Sequence, residues 1–220
     1  MIDTPAADQN PATGAAQLAA YLAARMCHDF ISPASAIVSG LDLLEDPAAQ
    51  DMRDDAMSLI SASARKLADL LQFSRVAFGA SASAETFDPR ELEKLIAGVF
   101  AHMRAELDWA VEADSVSKPA ARALLNLAQM AGAALPTGGT ASVRAVQEAS
   151  ALTIAIEAAG PRARLRSEVL SGLRGEPLRE GLHGHWVQAY YVHLFLADAG
   201  ARVIVDVSEE KVIFAARIPA

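Results

Sequence analysis

Leu18, Leu22, Met26, Phe30, Ile37, Leu41 and Leu44 follow one another at steps of three, four or seven, which is one apolar stripe on a helix of 3.6 residues per turn. The spacing predicts a helix from about Ala15 to Glu45. Asp46-Pro47 breaks it, and Asp46 or the residues just after it can cap the next helix. That second helix is expected over about Ala49 to Phe78, with Met52, Ala56, Leu59, Ile60, Ser63, Leu67, Leu70 and Phe73 on its inner face. Two long helices joined by a short turn form an antiparallel hairpin. A lone hairpin cannot cover two such wide stripes. Pairing two copies into a four-helix bundle buries them, so a homodimer is expected.

At about 100° per residue, His28 falls roughly opposite the stripe, so it should be wet and reachable. Asp29 follows it directly, Arg25 and Ser32 lie one turn to either side on the same face, and Pro33 removes a backbone donor, kinking or loosening the helix just beyond. Transient phosphorylation of the ring suits this setting, because imidazole is nucleophilic near neutral pH without help from a metal.

Beyond the hairpin the pattern changes. Residues 1–14 lack periodicity and are expected to be a disordered tail. The hairpin fills 15–79, the Ala/Ser run at 80–84 reads as a linker, and 85–220 alternates short strands with helices. Glu85-Thr86-Phe87 and Leu107 to Val111 read as strands, Pro89 to about Met103 and Pro119 to Leu135 as helices. Thr140 to Val146 pairs with Leu152 to Ala158, a helix runs from about Trp186 to Ala199, and the chain closes on strands Ala201 to Val207 and Lys211 to Ile218. The fold class is therefore α+β, a mixed sheet with helices on a face. No run of 18 apolar residues occurs and no leader is apparent, so neither a membrane span nor export is expected; the place is the cytoplasm. The net charge of −8 argues against nucleic acid. The single cysteine, Cys27, is read as a small packing residue. Trp109 and Trp186 are read as packing anchors, and His183 and His185 as loop or surface residues, since no further ligand completes a metal site.

His28-Asp29 followed by Pro33 on the first helix of a hairpin resembles the H-box of histidine kinases. The element order after residue 85 resembles their ATP-binding domain, the Bergerat fold, but three nucleotide motifs depart from the pattern. Met130, in Asn126-Leu127-Ala128-Gln129-Met130-Ala131, stands where the family has a magnesium-binding Asn. Ala158-Ala159-Gly160-Pro161-Arg162 replaces the adenine-reading acid with alanine, and the phosphate loop is reduced to Gly181-Leu182-His183-Gly184-His185-Trp186.

A kinase-like hairpin with a degenerate ATPase-like domain resembles the ChpT-type histidine phosphotransferases, from about residue 15 onward. The resemblance is most specific over residues 27–33 and 160–166. It implies a dimeric phosphotransferase, not an ATP-dependent kinase. His28 would take a phosphoryl group on Nε2 from the receiver domain of a CckA-like hybrid kinase and pass it to CtrA-like and CpdR-like response regulators, in a cell-cycle phosphorelay. It implies no cofactor of its own, with Mg2+ supplied by the receiver. Asp29 would hold the ring, Arg25 would face the phosphoryl oxygens, and Ser32 is small enough to admit a receiver. Arg162, Arg164 and Arg166 alternate along the chain and would meet an acidic receiver surface. Two rivals stay open: an ATP-dependent sensor kinase core, and a non-catalytic dimeric scaffold or anti-kinase.

Overall fold

The computed structural model describes residues 14–79, 85–178 and 183–219. The expectations for a disordered tail at 1–13 and a linker at 80–84 lie outside these residues, as do Gly181 and Leu182.

The hairpin forms as its periodicity requires. Helix α1 spans Ala15–Glu45 and α2 spans Arg53–Ala77. Between them Pro47–Met52 makes a 3-10 turn, so α2 begins later than its apolar spacing suggested. Asp46 starts that turn by accepting a hydrogen bond from Ala48 N at 2.8 Å. As expected, α1 runs from Ala15 to Glu45 with Pro33 inside it. Pro33 is buried, and packing of this kind can hold a helix together where one internal hydrogen bond is missing. The two helices approach most tightly at Gly40, where a Cβ would stand 2.6 Å from Ile60 Cγ1 and 3.2 Å from the Ala56 carbonyl.

The expected stripes are only partly covered within one chain. On α1 only Pro33 and Gly40 are buried. Val38, Leu41, Met57 and Leu71 stay exposed, as do Met52 and Leu59, which were expected to face inward. Cys27, expected to pack, is likewise exposed within the single chain.

The remainder is a layer of helices on a sheet. Strands β1 (Thr86–Phe87) and β3 (Val116–Ser117) form a small antiparallel pair. Strands β2 (Ala105–Glu112), β4 (Gly139–Glu148), β5 (Ala151–Ala159), β7 (Lys211–Pro219) and β6 (Val203–Ser208) lie in the order β2-β4-β5-β7-β6. The β2–β4 pair is parallel and the others are antiparallel. Period-2 alternation puts Ala141, Val143 and Ala145 of β4 into the core beside Ile154, Ile156 and Ala158 of β5.

Helices α3 (Pro89–Phe100), α4 (Lys118–Ala133), α5 (Ser167–Leu173) and α6 (His183–Asp198) complete the domain. Asp88 caps α3 by accepting from Arg90 N, as Asp-Pro predicts. In α4, Leu124, Leu125 and Leu127 have no exposed surface, each contributing about 1.5–3 kcal/mol of burial. Of the two tryptophans, Trp186 is buried and Trp109 half-buried.

The hairpin is joined to this domain by a buried polar knot. The Asn126 amide donates to the Ala77 carbonyl at the end of α2 (3.0 Å) and to the Arg122 carbonyl (2.9 Å). Its oxygen accepts from Gln188 Nε2 on α6 (3.0 Å), which also reaches Gln129 Oε1 at 2.6 Å. Among the described residues no helix is long and apolar enough to cross a membrane.

Candidate active site

His28 projects from the open side of α1 with its side chain 83% exposed, where the helical phase predicts it. Its Nδ1 lies 3.3 Å from Asp29 Oδ1, a long hydrogen bond that leaves Nε2 toward solvent. Asp29 is itself fixed: its Oδ2 accepts from Arg25 Nε at 2.8 Å, one turn back.

Arg25 lies one turn before His28, as expected, and lines both clefts beside it. Its side chain is 19% exposed, and its Nη1 donates to the Gly184 carbonyl in the first turn of α6 at 2.6 Å. Two nitrogens of the guanidinium are thus engaged, and it braces Asp29. Ser32 is exposed one turn beyond His28 and Pro33 is buried beneath it.

Two open clefts flank His28. One, of about 340 Å³, lies between α1 and the start of α6, with Tyr21 and His183 in ring contact at 4.6 Å across it. The other, of about 300 Å³, runs over α2 to the end of α3 and is lined by Ser32, Lys66 and His102. His102 is held by Asp69 of α2 at 2.9 Å. Sequence reasoning overlooked Lys66. Hairpin symmetry gives no signal for it, since His28 lies 19 residues before Pro47 and Lys66 only 14 beyond Met52.

The expected arginine trio separates. Arg162 sits in a turn with φ 61°, where its chain direction departs from an extended strand, and does not line the groove that holds the other two. Arg164 and Arg166 line a groove of about 170 Å³ together with Arg25, Gln129, Met130, His185 and Gln188. Burial pushes the His185 imidazole below its ordinary range. The Arg166 and Arg25 charges add to that, against smaller opposing effects of Glu168 and Asp29. Met130 is buried against this groove and Ala158 faces the core from β5. Just before Arg162 the backbone packs tightly: a Cβ on Gly160 would stand 2.6 Å from the Gly138 carbonyl. Among the described residues, no three His, Cys, Asp or Glu side chains are grouped to hold a metal ion.

This arrangement has close counterparts. Residues 89–211 match the model of the histidine phosphotransferase C-terminal domain. The protein phosphotransferase ChpT of Brucella abortus (strain 2308) is 34% identical over 203 residues, covering 92% of this chain and 96% of that protein. A solved bacterial phosphotransferase structure is 32% identical, with a TM-score of 0.83 over 92% of this chain and 97% of the other. With its hairpin, its five-stranded mixed sheet and its degenerate nucleotide motifs, this chain belongs to the ChpT-type histidine phosphotransferase family.

Proposed function

We propose that His28 is the phosphoryl acceptor of this phosphotransferase, exchanging the group with receiver-domain aspartates through a phosphohistidine. The observation that carries this is the exposed ring with Nδ1 turned to Asp29 and Nε2 turned outward. A neutral imidazole with its proton on Nδ1 presents the Nε2 lone pair to a receiver's aspartyl phosphate. The N–P bond forms as the P–O bond breaks, and the receiver carboxylate leaves with the electron pair. Positive charge then grows on the ring, and Asp29 stabilises it through Nδ1–H. Positioning and charge neutralisation carry most of such a loose transfer. The receiver supplies the Mg2+. The second transfer is the same step reversed onto another receiver.

Several features support a relay without nucleotide. The groove lined by Met130, Arg164 and Arg166 is small, about 170 Å³. Met130 offers a thioether where a hard cation needs oxygen. Arg164 and Arg166, exposed at its rim, suit an acidic receiver surface, with a CckA-like hybrid kinase as donor and CtrA-like or CpdR-like regulators as acceptors. The exposed Val38, Leu41, Met57 and Leu59 of the hairpin suit a second copy in a four-helix bundle.

The test is transfer profiling. With a phosphorylated hybrid-kinase receiver as donor, the wild-type chain should become labelled and His28→Gln should not, with its circular dichroism unchanged. Labelling of His28→Gln refutes the assignment. Labelling from Mg-ATP alone would make the protein a sensor kinase core.

A further inference from the structure

The path from His28 does not stop at its neighbouring acid. Asp29 touches the ring with one oxygen and Arg25 with the other, and Arg25 continues to the backbone carbonyl of Gly184, 159 positions away in sequence. Gly184 belongs to the first turn of α6, part of the ATPase-like domain. A carboxylate on a helix surface ordinarily samples several rotamers. Here a guanidinium fixed at both ends removes that freedom, and its fork geometry leaves little room for another orientation of Asp29.

We propose that Arg25 is a positioning residue for phosphotransfer. It clamps Asp29 so that the His28 ring keeps its proton on Nδ1 and its lone pair on Nε2, and it does so only while the first turn of α6 is docked on α1. The domain that resembles an ATPase thereby acts on the acceptor through one carbonyl. A Cβ at position 184 would make only ordinary contact with Arg25 Cδ, at 3.5 Å, so what this turn contributes to the clamp is its carbonyl. His185 beside it is neutral-favouring, so the same turn adds no strong positive charge against Arg25. Lysine cannot substitute: a single ammonium reaches Asp29 or the Gly184 carbonyl, but lacks the planar fork that spans both.

This inference rests on His28 as the acceptor, but its test can be separated from that reading. The full-length chain, labelled with 15N at histidine, reports the ring tautomer directly by NMR, independently of any phosphoryl donor. The wild-type His28 ring should be protonated mainly on Nδ1. Arg25→Ala should shift it toward protonation on Nε2, and Arg25→Lys should give an intermediate mixture. Loss of one charge-assisted hydrogen bond in the clamp should slow acceptance from a phosphorylated receiver about ten- to hundredfold in Arg25→Ala. Asp29→Asn should reproduce the tautomer shift with Arg25 intact. If Arg25→Ala leaves the tautomer unchanged, the clamp is refuted, whatever happens to the rate. A fall in rate with an unmoved ring would place Arg25 in partner contact instead. If wild-type His28 accepts no label, the relay reading fails while the NMR result still decides the clamp.

Discussion

Asn126 offers a sharp test of how the hairpin is fastened to its domain. Removing its amide in Asn126→Ala strips the Ala77 carbonyl, one of the last acceptors of α2, of its Asn126 donor. It also takes one acceptor from Gln188, which keeps Gln129. The bond to Arg122 counts for little, because that carbonyl already accepts the helix's own N–H from Asn126. Two buried groups losing a partner at about 1 kcal/mol or more each, with a small void, give about 2–4 kcal/mol. Urea unfolding followed by circular dichroism should show this as a lower midpoint at unchanged slope. Asn126→Asp should cost more than alanine, since it sets an anion against the carbonyls of Ala77 and Arg122. In a double-mutant cycle, Asn126→Ala and Gln188→Ala should couple by about 1 kcal/mol. A loss below about 1 kcal/mol for Asn126→Ala, or a milder effect of aspartate than of alanine, would refute the reasoning.

Other outcomes belong to single sites. Gly172→Val should destabilise by about 1–3 kcal/mol or more in thermal unfolding, because a Cβ there meets the Trp186 carbonyl at 2.6 Å and Ala189 Cβ at 2.7 Å. His185 binds its proton less readily when folded, through burial and the Arg166 and Arg25 charges, opposed by Glu168 and Asp29. The unfolded chain therefore takes up more protons there, so its contribution is intact above about pH 6.5 and is lost as pH falls through the lowered folded value. The stability loss on acidification should be smaller in His185→Gln. In sedimentation, Val38→Glu with Leu41→Glu should shift the chain from dimer to monomer; a wild-type monomer would remove the bundle.

The hairpin was legible because its apolar repeat is long and unbroken, and β4, β5, β6 and β7 because their alternation is clear. Local signals also placed the cap at Asp88. What escaped was short or non-local. Helix α5 has seven residues, among them Gly172 and two serines, too few to display a stripe. Strand β3 has two, and its pairing with β1 is a matter of tertiary approach. Helix α6 begins three residues before the expected Trp186, because its first turn carries Gly184 and two histidines and no apolar period. At the site, helical phase alone placed His28 in solvent and Asp29 beside it. The second partner of Arg25 was beyond reach, because it is a main-chain oxygen 159 positions away in sequence.

Trp186 comes directly after His185, with its indole stacked on Tyr190 at 4.4 Å and its N–H donated to the Glu176 carbonyl at 2.8 Å. The other tryptophan, Trp109, lies on β2, away from this helix. Indole emission responds to ring stacking and to the strength of that N–H bond. The first turn of α6, whose Gly184 carbonyl meets Arg25 of the hairpin, thus carries a built-in optical gauge two residues on, and in a Trp109→Phe background its colour and yield would track that turn in real time without an attached dye.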